Sequence, residues 1–231
     1  MARKDKEKIF QLQNRSLISL TNPKSSIAEQ FRTVRTSIQF SSVDKDLQSV
    51  VVTSPNPEEG KSTITANLAV VFAQQGKRVL LIDSDLRKPT VHYTFHTENH
   101  VGLSNVLTRQ VTLQEAVKTS RQENLWILTS GPIPPNPSEL LGSKGMNDLL
   151  DEVKNEYDFV IFDSPPVLAV TDTQVLSNLT DGVVLVISSG NTKIDSAKKA
   201  KELLESAKAK ILGVVHNNKK EQDTPYYYGE K

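Results

Sequence analysis

Six short segments of this chain are almost wholly apolar, and any fold it adopts has to cover them. SVVVTS (49–54), RVLLID (78–83), FVIFDS (159–164) and GVVLVIS (182–188) are the plainest; LWILTS (125–130) and KILGVVHN (210–217) follow the same pattern. Their aliphatic and β-branched residues run nearly unbroken instead of alternating with polar ones. An alternating strand has one wet face, whereas an unbroken one needs cover on both, the condition inside a parallel sheet. Helical patterns lie between the strands. KSTITANLAVVFAQQG (61–76) places Ile64, Leu68, Val71 and Phe72 on one face and stops at Gly76. PSELLGSKGMNDLLDEVKNEY (137–157) reads as one helical stretch opening on a Pro-Ser-Glu start signal. KIDSAKKAKELLESAKA (193–209) is amphipathic with a lysine-rich outer face. This alternation predicts an α/β fold: a doubly wound, mainly parallel sheet flanked by helices, in one domain.

The ends differ from the middle. Residues 1–24 read as a basic, polar N-terminal segment, and 25–42 as a helix that precedes the first core strand. The main domain is expected over 25–218, with 219–231 a flexible tail. A net charge of +1 gives no electrostatic pull toward nucleic acid, so no nucleic-acid partner is expected. The absence of cysteine excludes disulfides, thiolate zinc sites and cysteine nucleophiles, and fits a reducing compartment. No apolar run approaches the ~18 to 20 residues needed to span a bilayer. The charged opening MARKDKEKIFQLQNR lacks the apolar core of a secretory signal. The expected location is the cytoplasm.

Three motifs stand at the carboxyl ends of expected strands, where α/β folds place ligands. In the first, a strand runs into PNPEEGKST (55–63) and a helix follows at once, the setting of a phosphate-binding loop. Backbone N–H groups and the helix N-terminus there favour an anion, with Lys61 reaching phosphates and Ser62 a magnesium ligand. The formal G-x-x-x-x-G-K-[ST] pattern is broken at its first position, which is Pro55. In the second, VLLIDSDLRKP (79–89), Asp83 and Asp85 have alternate-residue spacing and would share one side of an extended chain. Two carboxylates at such a place suit a hard cation that also takes water and phosphate ligands. One could hold magnesium while the other accepts a hydroxyl proton, and spacing does not say which. The third, DFVIFDSPP (158–166), delivers Asp163 in the manner of a Walker B acid. Two further features stand outside this group. Tyr226, Tyr227 and Tyr228 are consecutive in a polar tail, either an incidental aromatic run or a cluster of phosphoryl acceptors on a tether. Glu29, Arg32 and Arg35 share a helical face, either solvated or an ionic interface.

Taken together these motifs resemble the bacterial tyrosine kinases (BY-kinases), of the stand-alone cytoplasmic kind found in Gram-positive bacteria. The likeness spans nearly the whole chain. It rests on PNPEEGKST, LLIDSDLRKP, VIFDSPP, EQFRTVR, TSGPIPPNPSELL (129–141) and the terminal tyrosine cluster. It implies a P-loop NTPase of the deviant Walker, partition-ATPase-like type, with ATP and Mg²⁺ as cofactors. It implies nucleotide contacts from Pro57, Glu58, Glu59, Gly60, Lys61, Ser62 and Thr63, with Asn217 at an adenine-contacting position. Lys61, Asp83 and Asp85 would be catalytic, Asp83 as the base, and Ser62, Asp85 and Asp163 would serve the metal. The implied reaction is tyrosine autophosphorylation in trans on Tyr226, Tyr227 and Tyr228. The implied assembly is a ring, an octamer, built through Glu29, Arg32 and Arg35. Further implied partners are the cytoplasmic C-terminal segment of a transmembrane adaptor, a cognate tyrosine phosphatase and protein substrates. The adaptor would recruit the kinase to the inner face of the plasma membrane, in control of capsule or exopolysaccharide synthesis.

Two glutamates sit awkwardly in such a loop. The resembled family commonly keeps a small residue, often glycine, where Glu58 stands, so its side chain turns to solvent or affinity suffers. Glu59 falls at a variable position, with its carboxylate expected outward and its N–H inward. The tyrosine cluster is also short for the family. Partitioning or division-site ATPases are the nearest rivals, but their signature lysine would fall at position 56, which is Asn56. A non-catalytic, nucleotide-dependent scaffold is the other alternative.

Overall fold

The computed structural model describes residues 17–41 and 47–219. Residues 1–16 of the basic N-terminal segment, the end of the expected 25–42 helix and Tyr226, Tyr227 and Tyr228 lie outside the described residues. Among those described, the strands are β1 (Ser49–Thr53), β2 (Val79–Asp83), β3 (Lys118–Thr119), β4 (Leu125–Leu128), β5 (Phe159–Asp163), β6 (Gly182–Ser188) and β7 (Ile211–Asn217). They form one sheet in the order β3-β4-β2-β5-β1-β6-β7. Every pairing is parallel except β3 with β4.

The unbroken apolar runs have a direct cause. Val51, Leu80, Ile82, Val160, Phe162, Val183 and Leu185 enter one core cluster. Their neighbours Val50, Val52, Val79, Leu81, Phe159, Ile161, Val184 and Val186 enter the other. Successive side chains of a strand point to opposite faces, so two covered faces demand apolar residues at every position.

Helices α1 (Ile18–Thr21), α2 (Ser26–Phe40), α3 (Lys61–Ala73) and α4 (Val91–Thr94) precede α5 (Leu103–Leu107) and α6 (Leu113–Ala116). After β4 come α7 (Pro137–Leu141), α8 (Lys144–Glu156), α9 (Asp172–Ser177) and α10 (Ile194–Ser206). None of these is long and apolar enough to cross a membrane.

The expected two-faced burial fails at β7, an edge strand that is half-buried or exposed along its length, with Val214 56% exposed. Three further elements depart from the sequence reading. First, α3 is buried nearly all round, not on one face alone. Its outer side is covered by α1 and α2: the Ser19 N–H donates to Asn67 Oδ1 (2.9 Å), and Gln74 Nε2 donates to the Ser19 carbonyl (3.0 Å). Residues 17–22 thus fold onto α3, inside a segment expected to be a polar lead-in. Second, the 137–157 stretch is two helices. Gly142 ends α7, and Ser143 caps α8 by accepting from the Met146 N–H. Third, β3 is a two-residue antiparallel edge strand with no period for a sequence reading to detect.

At the centre of the α3 face the rings of Phe72 and Phe159 stack with centroids 4.0 Å apart. Both are fully buried, so Phe72→Ala removes helix–sheet packing that nothing else can fill. The expected cost is about 3–5 kcal/mol, read as a shift in urea midpoint at unchanged slope. A loss under ~1 kcal/mol would contradict this packing.

Candidate active site

The chain leaving β1 turns sharply at 54–60. Glu58 (φ 64°) and Gly60 (φ 89°) both take left-handed backbone. At Gly60 only glycine fits, since a Cβ would lie 2.2 Å from Asn217 Nδ2. Glu58 adopts the same region with a side chain, which is strained for an L-residue and explains why a small residue suits this place. Pro57 and Glu58 are exposed, so the Glu58 carboxylate turns to solvent. Glu59 does the reverse of what was expected. It is buried, at 1% exposure. Its carboxylate accepts from the Asn56 N–H (3.0 Å), Asn56 Nδ2 (3.0 Å) and the Thr192 hydroxyl (2.7 Å). Three donors stabilise a charge that would otherwise be costly inside the protein.

Beyond Gly60, α3 begins with Lys61, Ser62 and Thr63. Lys61 Nζ lies 3.3 Å from Asp85 Oδ2, 3.3 Å from Asp163 Oδ1 and 3.2 Å from Ser62 Oγ. The sheet register puts Asp83 beside Asp163. Burial opposes the Lys61 charge, but Asp163, Asp85 and Asp83 outweigh it and its pKa is raised. Burial raises Asp163 as well, against the pull of Lys61. Burial, reinforced by Asp163, pushes Asp83 up to about 7 even though the Val91 N–H and Lys61 draw it down. Three acids around one lysine leave the cluster short of positive charge.

Asp83 and Asp85 do not share the side of an extended chain. The chain turns directly after β2, with the Asp85 N–H donating to Asp83 Oδ1 (3.2 Å). The other Asp83 oxygen accepts from the Thr90 and Val91 N–H groups, 3.0 Å each. Asp83 therefore secures the 84–91 loop, and Asp85 is the acid that reaches Lys61.

The cluster fits a magnesium ion. Asp163 Oδ2 is buried without a hydrogen-bond partner, a state that a cation would relieve. Ser62 and Asp85 flank it through Lys61. No group of three or more His, Cys, Asp or Glu among the described residues forms a closed cage. Mg²⁺ needs none, because it keeps water and phosphate oxygens as most of its ligands.

Sequence reading missed the groups that brace this site. Arg87 makes a bidentate pair with the fully buried Asp172 at the start of α9 (2.9 and 3.0 Å), and Ser138 on α7 donates to the same carboxylate. That ties the loop carrying Asp85 to two helices. Thr65 donates to Asp163 Oδ1 (3.4 Å). Thr192 lies in a polar turn and Asp172 opens a helix too short to show a period, so nothing local marks them. A surface cavity of about 450 Å³, lined by residues of α5, α6 and α8 such as Leu107, Leu113 and Glu152, shares no residue with the cluster.

On α2, Glu29 pairs with Arg32, and Arg32 also donates to the Pro23 carbonyl (2.7 Å). Arg35 donates to the Val71 carbonyl on α3 (3.0 Å), and burial lowers its pKa. The three residues are one helical face by spacing, but Arg35 leans inward.

A phosphate loop at the end of β1, its lysine held by carboxylates from the end of the adjacent β5 and from the loop after β2, defines a P-loop NTPase fold of the deviant Walker type. Residues 57–211 match the model of the AAA domain family. Tyrosine-protein kinase YwqD of Bacillus subtilis (strain 168) is 57% identical over 219 residues, 94% of this chain and 92% of that protein. The solved structure of the chimerical protein CapA2B2 superposes with a TM-score of 0.86 at 49% identity, over 89% of this chain and 90% of that one. The kinase domain of Escherichia coli tyrosine kinase ETK gives 0.86 at 33% identity, over 93% and 85%. The chain belongs to the bacterial tyrosine-protein kinase family.

The raised Asp83 has a consequence for stability. Between its ordinary 3.8 and about 7 the folded protein keeps a proton that the unfolded chain has released. Its contribution therefore favours folding below that window and is lost as pH rises through it. Asp83→Asn should remove this component, so that urea midpoints measured from pH 4 to 7 follow a different slope from the parent protein. Parallel slopes would mean that Asp83 titrates as an ordinary aspartate.

Proposed function

We propose that the chain is an ATP-dependent protein-tyrosine kinase that phosphorylates Tyr226, Tyr227 and Tyr228 in trans between copies of itself. The observation that carries this reading is Lys61 held between Asp85 and Asp163 at the head of α3, in a chain of this family. Ser62, Asp163 and Asp85 would hold Mg²⁺, which would neutralise charge on the phosphate oxygens of ATP, the phosphoryl donor. Lys61 and the loop N–H groups of 57–63 orient and neutralise the anion. Asp83 accepts the proton of the incoming tyrosine hydroxyl, and a carboxylate pushed up to about 7 is well matched to that task. Its three backbone N–H donors, from Asp85, Thr90 and Val91, hold it in place. Asn217 contacts the base. Asn56, where a partition-type ATPase would carry its lysine, supports the kinase over that rival.

The family resemblance carries the rest of the reading. Copies assemble as a ring, octameric by resemblance, through Glu29, Arg32 and Arg35. A transmembrane adaptor's cytoplasmic segment recruits this cytoplasmic kinase to the inner membrane face and activates it. A cognate phosphatase opposes it, other proteins are also substrates, and the output is control of capsule or exopolysaccharide synthesis.

Two measurements test this. Incubation with ATP and Mg²⁺, with adaptor segment present, should add phosphate to Tyr226–Tyr228 by mass spectrometry. Asp83→Ala should lower transfer by about 10²-fold or more while ATP binding survives. Unmodified tyrosines with intact ATP binding would favour the scaffold reading. Separately, Arg32→Ala with Arg35→Ala should reduce the solution mass to that of a monomer by light scattering; an unchanged assembly would remove these residues from the interface.

A further inference from the structure

Strand order gives the cleft a direction. β5 and β2, on one side of β1, deliver Asp163, Asp83 and Asp85 to Lys61. β6 and β7 lie on the other side. A triphosphate spanning the carboxyl edge with its terminal group at Lys61 has its nucleoside on the β6–β7 side.

That side is a closed hydrogen-bonded unit. The Ser188 N–H donates to Thr192 Oγ1 (2.8 Å), the Ser189 N–H to the Asn217 carbonyl (2.9 Å) and Asn218 Nδ2 to Ser188 Oγ (3.0 Å). It meets the phosphate loop at Glu59. The Thr192 hydroxyl donates to the Glu59 carboxylate, and Asn217 Nδ2 donates to the Glu59 carbonyl (3.0 Å). The same carboxylate grips the loop through the N–H and side-chain amide of Asn56.

We propose that Glu59 is a positioning residue that fastens the phosphate loop to the nucleoside side of the cleft, so that grip on the base and grip on the phosphates depend on one buried carboxylate. This deepens the nucleotide-binding reading above and rests on it. A carboxylate beside an anion site is electrostatically unfavourable unless its charge is taken up elsewhere. Three donors take it up here. Thr192 is suited to the link because its hydroxyl donates to Glu59 while accepting from Ser188, leaving no freedom to rotate away.

The test compares ATP with inorganic tripolyphosphate, which lacks a nucleoside, by calorimetry on the full chain with Mg²⁺. Thr192→Val cuts the carboxylate's link while leaving Asn56 on the Glu59 carboxylate and the Asn217 amide on the Glu59 carbonyl. It should weaken ATP about tenfold and leave tripolyphosphate within about twofold, close to the ~1.4 kcal/mol that a tenfold change represents. Thr192→Ser, which keeps the hydroxyl, should restore ATP affinity. Glu59→Ala should weaken both ligands, ATP more, and adding Thr192→Val to it should cost nothing further. Circular dichroism checks that each variant is folded, and the Thr192 pair carries the test if Glu59→Ala is not. Equal losses of ATP and tripolyphosphate in Thr192→Val would overturn the proposal, as would unchanged ATP affinity. A parent protein that binds tripolyphosphate but gains nothing from the nucleoside would overturn it too. A parent that binds neither would sink the nucleotide reading itself.

Discussion

The Lys61 ammonium, buried and shared by Asp85 and Asp163 at 3.3 Å each, is the contact on which the site depends. A buried lysine is tolerable only with carboxylates beside it, and buried carboxylates only with a cation. The sheet makes the arrangement possible. Strand β5 lies between β1 and β2, so the strand that launches the phosphate loop and the one that launches the Asp85 loop both flank Asp163. Remove the lysine and three acids are left facing each other; remove the acids and α3 begins with an unpaired charge.

The strands cannot hold this alone, and the surrounding loops supply the bracing. Asp83 binds the backbone of Thr90 and Val91, Arg87 binds Asp172, and Glu59 binds Asn56 and Thr192. Each is a charged group saturated by fixed donors or a bidentate partner, which gives geometric definition as well as attraction. At the back of α3 the bracing is to backbone: Asn67 and Gln74 bond the N–H and carbonyl of Ser19 in α1, and Arg35 of α2 donates to the Val71 carbonyl. A helix so enclosed holds the lysine at its first residue steady.

Legibility followed the range of the physics involved. Five of the six apolar strands were readable because two-faced burial imposes its composition within five or six residues; β7 carries the same composition at the sheet edge, half-buried or exposed along its length. The strand-end acids were readable for the same reason, since each sits directly after such a run. The break at Gly142–Ser143 was not, because the apolar period continues across it and only the Ser143 cap reveals a new start. The burial of α3 on its outer side was hidden because its cover comes from another helix. Glu58 was rightly singled out, its left-handed backbone being the strain that its place in the loop demands.

Glu59 shows where the line falls. Its neighbours in sequence marked it as a surface acid in a loop, and its partner Thr192 stands 133 residues away. The pairing of Asp83 with its own loop and of Asp85 with Lys61 is likewise set by a turn that no spacing rule contains. The sequence by itself determined the fold class, the family, the phosphate loop and the acids that face it, because apolar burial and strand-end placement are local. Only the tertiary structure decided which acid touches the lysine, which glutamate is buried and which turns brace the loop. Those outcomes depend on where distant chain segments bring their donors, and an isolated charge has no preference until a partner arrives.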